Sequence, residues 1–311
     1  MEYNGTPKCD SGASGKDLNQ RSVEICHSIL QHILKDQTKI KISFDWHQID
    51  FCKQFCDVYF KTESKSLYQN IQRLSLNYIY DTKLLEMLSL NIKTLEIYAI
   101  SNFESNNMYS FISKQNKLRE FKLHGYLYRP LVALSKQANF LLSIELVYID
   151  FCEAPRDLLK GLASCRELIQ ISIKYCTSAD DGLLEPLASS RFPNLRDIHF
   201  EESTKAWVKL MKNLIKNNSE KIEHIYYKPS SDDLSIINGR ETTDILKIVK
   251  EYCPLIKNLS VPAISQDDFE SFKRFLEDSP QNLQSLVIFL NKRHKYPIPT
   301  AQHILEVINV E

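Results

Sequence analysis

Glycine is scarce, with seven in 311 residues. That leaves little material for loops that cradle phosphate, and neither the G-x-x-x-x-G-K-S/T sequence nor a dinucleotide glycine fingerprint occurs. G-x-S-x-G and H-E-x-x-H are missing too, so the chain is not expected to be an enzyme, and no cofactor is expected. No run of about 18 apolar residues exists to span a bilayer, and the N-terminus lacks the apolar segment of a signal peptide. A protein kept inside the cell, in cytoplasm and/or nucleus and off membranes, is the expectation. Lysine plus arginine and aspartate plus glutamate number 39 each, which leaves no net field to draw in nucleic acid. Eight cysteines are too dilute for a disulfide framework and read as small buried hydrophobes. Among them, Cys52 and Cys56 in "FCKQFCDVYF" share a helical face with Phe55 and Tyr59, and no second pair follows at zinc-site spacing.

What is present is a repeat. Nine segments share an apolar-x-x-apolar-x-apolar frame: "IQRLSL" from Ile71, "IKTLEI" from Ile92, "LREFKL" from Leu118, "LLSIEL" from Leu141, "LIQISI" from Leu168, "LRDIHF" from Leu195, "IEHIYY" from Ile222, "IKNLSV" from Ile256 and "LQSLVI" from Leu283. Their starts are 21, 26, 23, 27, 27, 27, 34 and 27 residues apart, the mark of a repeat architecture. The last two apolar positions of each frame alternate with polar ones, which predicts a short strand with one buried face. A turn and a helical pattern usually follow. "PRDLLKGLASC" from Pro155 is one example. In another, "TKAWVKLMKNLIKN" from Thr204, Trp207, Leu210, Met211, Leu214 and Ile215 form one stripe.

Strands joined by helical crossovers must run parallel, and units that touch only their neighbours stack as a solenoid. Strands lie about 4.8 Å apart and packed helices about 8 to 10 Å. The stack is therefore expected to curve with the strands inside. Upstream, "VEICHSILQHIL" and "IKISF" read as a degenerate first unit. The expected organisation is a disordered tail over residues 1–20, a degenerate N-terminal unit of helix, strand and helix over 21–66, and the solenoid over 67–311. The 34-residue unit is swollen by "PSSDDLSIINGRETT", a surface loop over 229–243, and "NKRHKYP" from Asn291 reads as a solvated turn.

One unit is more specific. In "CRELIQISIKYCTSADDGL", Cys165 and Cys176 flank the frame residues Leu168, Ile171 and Ile173, and Asp180 and Asp181 make a helix-capping turn. Pro186 sits awkwardly for a helix starting at Gly182, so the helix is expected to start nearer Glu185, with the proline in its first turn. This unit resembles the cysteine-containing leucine-rich repeat of F-box/leucine-rich-repeat proteins, which read roughly C-x-x-L-x-x-L-x-L-x-x-C, then a threonine-aspartate turn and glycine-leucine. "CPLIKNLSV" keeps only Cys253 of that pattern, and "LREFKLHG" keeps no cysteine. The general likeness covers residues 71–290. It implies an α/β leucine-rich-repeat solenoid, a ribonuclease-inhibitor-like horseshoe, with parallel strands on the concave face and helices on the convex face. It also implies a monomeric, non-catalytic substrate receptor that reaches a ubiquitin ligase through a Skp-type adaptor and cullin. Residues 1–60 show no leucine-proline opening of an F-box, so a free-standing scaffold or inhibitor stands beside that reading.

Two rows of residues should line the concave face. The fifth frame position gives Ser75, Glu96, Lys122, Glu145, Ser172, His199, Tyr226, Ser260 and Val287; two positions on come Asn77, Tyr98, His124, Val147, Lys174, Glu201, Lys228, Pro262 and Phe289. Charges alternate in sign, which suits both cross-strand pairing and recognition of a protein or peptide partner by a mixed-charge face with tyrosines. The candidate partner-binding residues are Glu96, Tyr98, Lys122, His124, Glu145, Lys174, His199, Glu201, Tyr226 and Lys228. Asp197, His199 and His224 fall on adjacent strands, but His199 is offset from the other two by two positions, so no metal is expected.

Overall fold

The structure is a computed structural model that describes residues 41–44, 71–77, 85, 90–99, 105–125, 128–229, 240–263, 266–277 and 281–290. Each of the nine frames becomes a strand. These are β2 (Arg73–Asn77), β3 (Thr94–Ala99), β4 (Glu120–Gly125), β5 (Ser143–Val147), β6 (Gln170–Lys174), β7 (Asp197–Ser203), β8 (His224–Pro229), β9 (Asn258–Ala263) and β10 (Ser285–Leu290). "KISF" supplies a further strand, β1 (Lys41–Phe44), paired with β2. All ten lie in one open sheet in chain order, and every adjacent pair is parallel.

Within the apolar frame the register repeats without a slip; past it, β7 shifts against β8 between Glu201 and Ser203. Leu74, Leu95, Phe121, Ile144, Ile171, Ile198, Ile225, Leu259 and Leu286 stand opposite one another across successive strands. From Leu74 to Leu259 all of these are buried, as are the next inward residues from Leu76 to Val261. A one-residue shift would turn the whole apolar row outward, so burial itself fixes this pairing. Pairing between β8 and β9 stops after Tyr226 and Ser260. Pro262, two residues on, has no N–H to donate to a ladder.

The crossovers pack on one face. They are α1 (Ser105–Ser113), the 3-10 helix Arg129–Gln137, α2 (Lys160–Ala163), α3 (Asp181–Ala188), α4 (Lys205–Asn218), α5 (Arg240–Tyr252) and α6 (Gln266–Glu277), each packed on the next. In α4 the anticipated stripe of Trp207, Leu210, Met211, Leu214 and Ile215 is fully buried and joins the strand residues in one continuous core. The segment from Pro155 yields less helix than its pattern suggests. Only Lys160–Ala163 is helical, although Leu158, Leu159 and Leu162 are buried.

The start of α3 corrects the sequence reading. The helix runs over Asp181–Ala188 with Pro186 inside it, rather than opening near Glu185. Asp180 decides this, because its Oδ1 accepts from the Leu183 amide at 2.7 Å and fixes the first turn upstream. The proline then costs one backbone bond within eight residues.

The loop expected over 229–243 is shorter than its sequence suggests, since Pro229 closes β8 and Arg240 to Thr243 open α5; its middle, 230–239, lies outside the described residues, as do the expected helix "VEICHSILQHIL", Cys52 and Cys56, the tail over 1–20 and the "NKRHKYP" turn.

The polar face of the sheet as candidate functional site

Opposite the helices the sheet presents the two anticipated rows. Strand register places Ser75, Glu96, Lys122, Glu145, Ser172, His199, Tyr226, Ser260 and Val287 side by side. The second row runs unbroken from Asn77 through Tyr98, His124, Val147, Lys174 and Glu201 to Lys228. The structure therefore gathers all ten candidate residues on one face, across β3 to β8.

Charges there meet across strands. The Lys122 and Lys174 ammoniums both sit on the Glu145 carboxylate, at 3.0 and 2.6 Å. Lys228 reaches Glu201 at 2.9 Å and Glu202 at 3.7 Å. The acid is the deeper partner each time: Glu145 keeps 17% of its side chain exposed against 40% for Lys122 and 25% for Lys174. Burial is the largest single influence and works to raise the Glu145 and Glu201 carboxyls, yet the lysine hydrogen bonds and charges, joined at Glu201 by the Tyr175 hydroxyl, together outweigh it and hold both below the ordinary carboxylate range. Hydrogen bonds to the same carboxylates raise Lys122 and Lys228.

Aromatic rings stack between these pairs. Tyr98 lies on His124 with ring centres 4.3 Å apart, and Tyr226 lies on His199 at 4.1 Å. Phe289 meets Tyr226 edge-on at 5.4 Å. The Tyr98 hydroxyl donates to Glu96 at 2.8 Å. Burial first and then Glu96 push this phenol up to about 12. Both imidazoles are pushed down, chiefly by burial. Their Nε2 atoms lie 3.6 Å from Glu96 and Glu201 respectively.

A third pair escaped the sequence reading. Tyr148 and Tyr175, just past the ends of β5 and β6, stack at 4.7 Å, and the Tyr175 hydroxyl donates to Glu201 at 3.1 Å. Both adopt positive φ, 57° and 55°, as does the matching Glu202 at 51°, a conformation rare for side-chain-bearing residues. Their spacing equals the 27-residue unit, a signal that would have found them had the frame been followed one position further.

The histidines do not converge. His224 Nε2 faces Asp197 at 3.8 Å, while His199 is taken up by Tyr226 and Glu201. Among the described residues no three metal-ligating side chains are gathered. Cys165, Cys176 and Cys253 are buried, and burial drives each thiol up to about 12, which removes the thiolate a nucleophile or soft-metal ligand needs.

Fold and face together define an open, all-parallel α/β repeat protein with one helix-covered face and one polar, aromatic face. No family model matches the chain, and no curated protein does either. Among solved structures it is similar to a Bacteroides fragilis structural-genomics protein, at 11% identity and a TM-score of 0.30, over 67% of this chain and 77% of that one. Likeness at that level is too loose to transfer a fold name or an activity.

Proposed function

We propose that the chain is a leucine-rich-repeat horseshoe whose concave sheet face binds a protein or peptide without catalysis. The observation that carries this is the bare face itself. Seven strands' worth of register, from β2 to β8, align tyrosine, histidine and paired charge, and among the described residues no helix packs over them. Tyr148 keeps 59% of its surface exposed and Tyr98 37%. Tyrosine combines apolar area with a polar tip and is enriched where proteins meet. Among the described residues no helix is long and apolar enough to cross a membrane, which suits an intracellular binder. The inner radius of the horseshoe follows from strands spaced more closely than helices.

The likeness of residues 165–183 to F-box/leucine-rich-repeat units favours a second, narrower reading, a substrate receptor that also engages a Skp-type adaptor and cullin.

One experiment separates these readings. Affinity purification from the native cell would compare wild type with a Tyr98→Ala, Lys174→Ala, Tyr226→Ala variant shown to be folded. A partner lost from the variant is the expected result. An adaptor and cullin retained by both baits makes that partner a ligase substrate, and their absence leaves a free-standing scaffold. Identical partners from both baits contradict the docking face.

A further inference from the structure

Equal totals of acid and base conceal a separation of charge along the strand direction. In the turns leading into β4, β5, β6 and β7 stand seven exposed cations. Lys114, Lys117 and Arg119 precede β4, Lys136 precedes β5, Arg166 precedes β6, and Arg191 and Arg196 precede β7. Three acids stand in or beside these turns. Glu120 accepts from Thr94, Glu167 accepts from Asn194, and Asp197 faces His224. Among the described residues only Arg196 of the seven reaches a carboxylate, that of Glu223 at 3.8 Å. Before β8 and β9 the rim balances, Lys221 and Lys257 standing against Glu220 and Glu223. The turns leaving β5 and β6 carry the opposite sign, with Asp150, Glu153, Asp157 and Asp180 against Arg156.

Helix ends do not account for this charge. Cations answer the terminal carbonyls of a helix within its last turn, and of the seven Lys136 alone lies in one. Apolar groups stand at the same rim. Leu90, Phe140 and Leu255, in the turns before β3, β5 and β9, are 47%, 40% and 42% exposed. Leu142 and Ile169, each half-buried, continue the backbone ladder between Arg119 and Arg196. Because the frame does not slip from β3 to β7, the turns that enter these strands end at one level.

We propose that this rim lies on an anionic lipid surface. Its cations meet the acidic lipid head groups and Phe140 enters the head-group boundary, so that the protein rests on the membrane without crossing it. A level edge of scattered cations, most of them outside any ion pair, suits a plane of mobile negative charge. Single-stranded nucleic acid would call for rings on which bases stack, and in these four turns Phe140 is the only exposed aromatic side chain. The expectation of a protein off membranes followed from net charge alone, which a charge separated between two rims does not obey. This surface is distinct from the docking face proposed above and does not depend on it.

Flotation of the full chain with vesicles tests this, using phosphatidylcholine that contains or lacks about one quarter phosphatidylserine. Binding is expected only with phosphatidylserine and should vanish at about 1 M salt, where the screening length falls to about 3 Å. Each basic residue near such a surface contributes roughly fivefold, so the double variant Lys117→Gln, Arg119→Gln should weaken binding about twenty-five-fold. Phe140→Ser should weaken it severalfold and leave the salt dependence intact. Arg156→Gln, on the opposite rim, also removes one positive charge and should change nothing. All of these side chains are exposed, so the variants are expected to keep the wild-type melting temperature. No flotation with anionic vesicles, or equal loss on Arg156→Gln and on Lys117→Gln, overturns the proposal. Binding to single-stranded RNA but not to vesicles, lost in the double variant, also overturns it and gives the rim to nucleic acid.

Discussion

Gln137 shows how single residues hold successive units together. Its Oε1 accepts from the Leu118 amide at 3.3 Å, and its Nε2 donates to the Ile112 and Gln115 carbonyls at 3.0 and 2.8 Å, all buried. Gln115 does the same one unit earlier, accepting from the Ile92 amide, and Asn218 accepts from the Phe192 amide. Cys165 stands at the corresponding place in its unit, with Sγ 3.6 Å from the Leu134 carbonyl. The cysteine of the repeat is thus one of several short polar groups that satisfy backbone at a helix end. Replacing Gln137 with leucine strands a buried amide and two carbonyls, and should cost about 2 to 4 kcal/mol, read as a lower urea midpoint. Cys165→Ser, which keeps a donor, should cost less.

Titration is also a residue-scale matter. His124 and His199 are held below their ordinary value of ~6.5 chiefly by burial. The unfolded chain therefore binds more protons, and the stability they contribute, fully present above ~6.5, falls as pH drops toward their lowered folded values. Around them stand Glu96, Glu145, Glu201, Lys122 and Lys174. Glu145 and Glu201 act in a lower window. Their contribution is present above an ordinary carboxylate value of ~4.3 and lost as pH falls through their depressed folded values. Urea midpoints against pH should show a flatter slope between about pH 7 and 5 for His124→Gln, His199→Gln, and a flatter slope only below that range for Glu145→Gln. A double histidine variant with the wild-type slope contradicts the assignment.

At the scale of elements, short helices depend on contacts with their neighbours. The four-residue α2 touches the 3-10 helix at Gly161, where an added Cβ would meet the Leu131 carbonyl oxygen at 3.0 Å and that of Val132 at 3.1 Å. Those atoms are backbone and cannot swing away. Gly161→Ala should therefore destabilise the protein by about 1 to 3 kcal/mol, despite alanine's higher helix propensity; a raised melting temperature contradicts the contact. The long α4 was legible because Trp207, Leu210, Met211, Leu214 and Ile215 repeat at helical period. By contrast, α2 was not, since Leu158 and Leu159 are buried from turns that share the helical period of their sequence. The start of α3 was misjudged because Pro186 was weighed above the Asp180 cap. Tyr148, Tyr175 and Glu202 lay beyond the strand frame, in left-handed backbone that apolar periodicity does not signal. The first row of the polar face was legible in full and the second as far as Lys228, because period-two alternation fixes which side chains share a face; the step from Lys228 to Pro262 was not, since β8 and β9 stop pairing after Tyr226 and Ser260.

For the whole molecule, the nine frames determine topology because each unit leaves apolar surface that only the next unit can cover. Ile171 stands between Ile144 and Ile198 and is fully buried among them. An aspartate there would place an unpaired charge in the core, and the damage should spread through the units that share that surface. Amide hydrogen exchange of wild type and Ile171→Asp tests this most directly. The repeat account predicts that β5, β6 and β7 lose protection together with the helices that follow them. Loss confined to β6, or protection unchanged throughout, would contradict it.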